Sequence, residues 1–144
     1  MTDLEVLIKK KPVYLHMWTQ KVDVICDFCD IPQYSPYPAS VETLYEWKCK
    51  LEDAIDRWRP INILFASYGL DYSYGDAFVL LERDWKLYEV NASHSSCDGL
   101  EGQFQPEETT VEALQFRLSE GTLGKDRYSG NCFSDELKKF LSTQ

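Results

Sequence analysis

DAFVLLERDWKLYEVN, residues 76–91, carries the reading of the fold. Asp76 to Glu82 and Leu87 to Asn91 are short apolar-rich runs, and the charged segment ERDWK at 82–86 joins them. Two such runs separated by a few turn-compatible residues make a β-hairpin. Side chains alternate across a strand, so Phe78 and Leu80 share one face. Just upstream, INILFAS at 61–67 lies between Pro60 and Gly69 and suits a buried strand, and GLDYSYG at 69–75 reads as the loop that follows it.

Further upstream the period changes. Leu44, Trp47, Leu51, Ala54, Ile55 and Trp58 recur at three- and four-residue steps with charged residues between them, which predicts an amphipathic helix. Ser40 is placed to cap its start, and Pro60 stops it by lacking an amide hydrogen and by biasing Arg59 away from helical geometry. Downstream, 92–108 is polar, contains Gly99 and Gly102 and has no period, so it reads as a long loop. Thr109 and Glu112 form a capping-box pair ahead of Val111, Leu114 and Leu118, with Gly121 as the stop. A last short helix begins after Ser134 and buries Leu137, Phe140 and Leu141. Near the start, Val13 to Leu15 and Val22 to Cys26 are β-compatible and predict edge strands, and IPQYSPYPAS at 31–40 reads as an ordered loop. Residues 1–144 are thus expected to form one α+β domain: a small antiparallel or mixed sheet with two to three helices packed on one face.

No apolar run approaches the roughly 20 residues that span a bilayer, and MTDLEVLIKKKPVYLHMW lacks the basic-then-apolar order of a secretory signal. A cytoplasmic location with no membrane partner is expected. Five cysteines, an odd and unevenly spaced set, fit reduced thiols better than a disulfide framework. The glycines at 99, 102, 121, 124 and 130 do not make a phosphate-binding loop, because neither the nucleotide fingerprint nor its Lys-Ser/Thr partner is present.

The formal net charge is −9, and residues 71–120 hold three basic side chains against eleven acidic ones. Such a field repels phosphate backbones and steers in basic surfaces, so direct nucleic-acid binding is not expected and a protein with a basic surface is the expected partner. The residues that would make that contact are Asp71, Asp76, Glu82 and Asp84, with the aromatics Tyr72, Tyr74 and Trp85. A large apolar side chain at a turn, as at Trp85, either folds back on the sheet or anchors a partner. The same carboxylates would equally serve as a solvated sheet edge that discourages aggregation.

YGDAFVLLERDWKLYEVNASHSSCDGLEGQFQPEETTVEALQFRL, residues 74–118, resembles a family of short, largely uncharacterised proteins of tailed phages and prophages. In that pattern the loop is richer in cysteine and the hairpin turn carries glycine, where this chain has Ser96 and Trp85. The resemblance implies a phage origin more than a chemistry. By analogy of gene class it fits an acidic inhibitor of a host nucleic-acid-handling or defence protein, of anti-CRISPR or anti-restriction type, and one that imitates DNA charge is included.

A metal site is the competing expectation. Cys26 and Cys29, and His94 and Cys97, are two pairs with ligands three residues apart, which together supply a tetrahedral zinc shell. That arrangement would make the 93–98 loop the centre of a small zinc- or thiol-dependent enzyme. Against it, Cys26 and Cys29 would equally fill a core, and the acidic loop around Cys97 disfavours a reactive thiolate. Glu107 and Glu108 are expected at the start of a helix, where carboxylates complement its dipole.

Overall fold

The hairpin read from 76–91 sits at the centre of a five-stranded sheet. The computed structural model describes residues 2–36, 39–71, 74–95, 99–126 and 130–142. Strands β1 (Val13–His16), β2 (Asn62–Asp71), β3 (Tyr74–Arg83), β4 (Lys86–His94) and β5 (Glu107–Glu108) lie in that order, with β1 parallel to β2 and every other pair antiparallel. The helices are α1 (Asp3–Lys9), α2 (Lys21–Cys29), α3 (Val41–Arg57), α4 (Val111–Glu120) and α5 (Ser134–Leu141). A two-stranded ribbon, β6 (Lys125–Asp126) with β7 (Asn131–Cys132), precedes α5.

The α+β class stands, but the expectation of two to three helices on one face does not: among the described residues five helices cover both faces. The reason is legible in β3, where every position from Ala77 to Leu81 is buried, the mark of a strand covered on both sides. Ala77, Val79 and Leu81 join Val24, Ile25, Phe28, Ala54 and Trp58 of the α2–α3 side. Phe78 and Leu80 share the opposite face, as read from their alternation, and join Leu7, Leu114, Leu118, Leu137 and Phe140 of α1, α4 and α5. A bulge between Ile63 and Phe65 in β2 lets two consecutive residues, Leu64 and Phe65, enter the second core together.

Several element boundaries differ from expectation for local reasons. Val13–His16 is an edge strand, but 22–26 lies inside α2. Asp23 sets that helix by accepting the Thr19 and Gln20 amides at 2.8 and 3.1 Å and the Thr19 hydroxyl at 2.9 Å. Residues 69–71 and 74–75 are strand, and Gly69 is a packing glycine: a Cβ there would fall 2.3 Å from the backbone of Gly130 and Asn131. Thr110, not Thr109, caps α4 by accepting the Ala113 amide at 3.0 Å. The Thr109 amide instead donates to the Leu87 carbonyl at 2.9 Å, and Glu107–Glu108 before it form the exposed edge strand β5.

Helix α3 begins where expected, with Ser40 Oγ accepting the Thr43 amide at 3.1 Å. Its apolar stripe is only partly covered: Ala54 and Trp58 are buried, while Leu44 and Ile55 stay exposed. Lys21 closes its far end by donating to the carbonyls of Trp58 and Ile61 at 2.9 and 2.5 Å. Among the described residues no helix is long and apolar enough to cross a membrane.

Candidate functional site

The turn between β3 and β4 is two residues long, since Arg83 pairs with Lys86. Asp84 and Trp85 take φ of 52° and 65°, the left-handed pair of a type I′ turn, positions that favour Asn, Asp and above all Gly. Asp84 suits its place; Trp85 does not, because a left-handed conformation costs a residue with a Cβ roughly 1–2 kcal/mol. The strain is not offset by burial of the indole, which is 72% exposed. Glu82 accepts the Trp85 amide at 3.0 Å, and Arg83 lies 3.9 Å from Asp84, so much of the local charge is matched within the turn. Arg83 and Asp84 also border a groove of about 310 Å³ walled by Ile61, Leu81, Tyr88, Phe104 and Pro106.

The structure does not gather the expected contact residues into one patch. Glu82, Asp84 and Trp85 lie at one end of β3, and Asp71, Tyr74 and Asp76 at the other. Ten strand residues separate the ends by about 30 Å. At that second end Tyr74 is exposed, whereas Asp76 accepts the Ser93 hydroxyl at 3.1 Å and is half-buried. Tyr72 and the side chain of Asp71 lie outside the described residues.

The expected metal set is likewise divided. Cys26 and Cys29 are one turn apart on α2, and His94 ends β4. Cys26 and His94 do meet, around a cavity of about 290 Å³ that also takes in Asp27, Asp30, Tyr68 and Glu101. Cys29 packs instead against the α2–α3 core, and Cys97 lies outside the described residues. Among the described residues no three His, Cys, Asp or Glu side chains are grouped to hold a metal ion. Cys26, Cys29 and Cys49 are free thiols.

What converges on that cavity is a set of proton-bearing groups, among them Asp27 and Tyr68, which the sequence did not flag. Tyr68 faces Ala77 across β2–β3, and Ala77 faces Ala92 across β3–β4; these small side chains leave room for the Tyr68 ring to pack on Trp18 at 5.2 Å and reach His94 Nδ1 at 2.7 Å. Trp18 Nε1 donates to Asp27 Oδ2 at 2.7 Å. Asp27 is open to solvent on one side, yet desolvation by surrounding atoms raises its carboxyl pKa, with the Trp18 hydrogen bond opposing and Asp23 adding to the rise. Burial, with a smaller contribution from Asp27, pushes the Tyr68 phenol up to about 12. Burial first, then the carboxylates of Asp27 and Asp23, pushes the Cys26 thiol up to about 11, so it is protonated and a poor nucleophile or ligand at neutral pH. The only sequence signal for Asp27 was its place inside the Cys pair. Tyr68 and Trp18 gave none, because their roles depend on cross-strand register.

Compared with models of known protein families, with curated proteins and with solved structures, the chain has no match.

Proposed function

We propose that this chain is a non-enzymatic binding protein that docks on the basic surface of a host protein, in the manner of a phage inhibitor of nucleic-acid-handling or defence machinery of anti-CRISPR or anti-restriction type. The observation that supports it is Trp85: an exposed indole held at a backbone conformation that glycine would take without strain. Strain that does not serve folding is a mark of function, and Trp at a protruding turn is a typical interface anchor. The net charge of −9 supplies long-range attraction to a basic partner, and the turn supplies the contact. The test is affinity capture from host lysate with the wild-type chain and Trp85→Ala side by side. A basic protein retained by the wild type and lost with the variant supports the reading; equal retention by both contradicts it.

A second reading, a small enzyme centred near His94, is favoured by one observation: Asp27, Tyr68 and His94 bring three proton-transfer groups to one cavity. In this reading Cys26 is a wall and not the thiol nucleophile. Zinc analysis of freshly purified chain, together with native alkylation kinetics, separates its versions. Near-stoichiometric zinc supports a metal centre that includes the 96–98 segment, and one fast thiol supports Cys97 as nucleophile.

A further inference from the structure

Helix α3 is apolar over more of its circumference than this chain covers. At roughly 100° per residue, Trp47, Leu51, Ala54 and Trp58 fall on one side, and that side joins the core shared with α2. Turning away from it, the surface stays apolar through Leu44 and Ile55 to Val41 and Tyr45, which are 83% and 69% exposed. An apolar arc of roughly 100° is enough for a helix that packs on one core; here the arc spans about half the helix. Glu46, Lys50, Asp53 and Arg57 occupy the remaining side, where Arg57 pairs with Asp53 at 3.0 Å.

The uncovered part of the arc is ordered. Val41, Tyr45, Lys48, Glu52 and Ile55 follow one another at alternating four- and three-residue steps, the heptad spacing along which two helices lie side by side. Its two charged residues, Lys48 and Glu52, are exposed, opposite in sign and one helical turn apart. We propose that this face binds a second copy of the chain through an antiparallel contact between the two α3 helices. With a two-fold axis at the level of Lys50, Lys48 of each copy faces Glu52 of the other, and Tyr45 of each faces Ile55 of the other. Every layer then sets one of the two seam positions against the other kind, as antiparallel packing requires. A parallel pair in register would place Lys48 on Lys48 and Glu52 on Glu52, so the charges select the antiparallel arrangement. The net charge of −9 opposes self-association, and the seam, with one charge of each sign, adds nothing to that repulsion. One face of a 17-residue helix is smaller than a standard interface of roughly 1,600 Å², so the dimer should dissociate in the micromolar range.

The test is sedimentation velocity of the full chain from about 1 to 500 µM, in reducing buffer so that the exposed Cys49 thiols hold no copies together. The expected result is a monomer that becomes a dimer as concentration rises. Lys48→Glu and Glu52→Lys, both at exposed positions and checked for native circular dichroism, should each raise the dissociation constant roughly tenfold or more, because each puts like charges face to face. An equimolar mixture of the two variants should dimerise again, since every carboxylate then meets an ammonium, and so should the chain carrying both changes. A wild type that stays monomeric throughout would overturn the proposal and leave the face to a different protein. So would a dimer that neither single change weakens, or a mixture that fails to restore it. None of these outcomes depends on docking at Trp85.

Discussion

At the Tyr74 end of β3, Tyr74 itself is exposed, but the polar groups beside it are tied into the structure. Asp76 accepts the Ser93 hydroxyl, and Gln103 clasps the same stretch of β4 by accepting the Ser93 amide at 2.9 Å and donating to the carbonyls of Ser93 and Gly99 at 2.8 and 2.7 Å. At the Arg83 end the backbone is strained and its largest side chain stands in solvent. The same strand thus ends once in a network that satisfies its polar groups and once in a turn whose composition works against folding. Variants at the tied end should change stability and leave partner capture intact; variants at the bare end should do the reverse.

The largest stability effect is expected beside the network, at Glu89. This buried carboxylate is paired with Arg117 and also accepts the Asn91 amide. Burial alone would raise its pKa, but the hydrogen bonds from Arg117, Asn91 and Thr109 together hold it below the ordinary carboxylate value. Arg117→Met should cost about 3 kcal/mol in urea unfolding at neutral pH, because it strands a buried charge. The pH dependence should also change sign. In the wild type the Glu89 contribution is complete above the unfolded carboxylate pKa and is lost as pH falls through the lower folded value. In the variant, burial dominates, the folded pKa lies above the unfolded one, and stability should rise as pH falls through that range. A variant whose unfolding free energy falls on acidification as the wild type's does would contradict this account of Glu89.

Gln103→Ala should cost about 2 kcal/mol, since both backbone polar groups of Ser93 lose their partner. Hydrogen exchange at Ser93 should speed up while exchange at Leu80 and Val90 stays close to wild type. Uniform acceleration would mean that Gln103 supports the whole sheet and not this end alone. The smallest effect is expected from charge at the tip. Glu82→Gln with Asp84→Asn should slow association with a captured partner several-fold at low salt and little at high salt. Asp71→Asn with Asp76→Asn, at the other end of the strand, should do less; equal effects of the two pairs would favour a diffuse field over docking at the turn.

Features set by neighbours in sequence were legible before the structure. The α3 start at Ser40, the stop at Gly121, the 82–86 turn and the Phe78–Leu80 face each rest on local capping, turn or alternation chemistry. What escaped depends on partners distant in sequence. Residues 22–26 include the β-branched Val22, Val24 and Ile25, yet Asp23 capping and burial against β2 and β3 make them helical. Gly69 looks like a turn residue until β7 is seen crossing it. Among candidate site residues, Cys26 and His94 do share a cavity, but Tyr68, which lines it, and Trp18, which packs on Tyr68 and holds Asp27, were hidden because cross-strand register is not written in either segment alone.

The central claim is that Trp85 holds a strained turn for the sake of a partner. The most direct measurement is Trp85→Gly, taken through urea unfolding and partner capture on the same preparation. Release of the left-handed strain should raise the unfolding free energy by about 1 kcal/mol while capture is lost. A variant that is less stable than wild type, or that still captures the partner, would contradict the account.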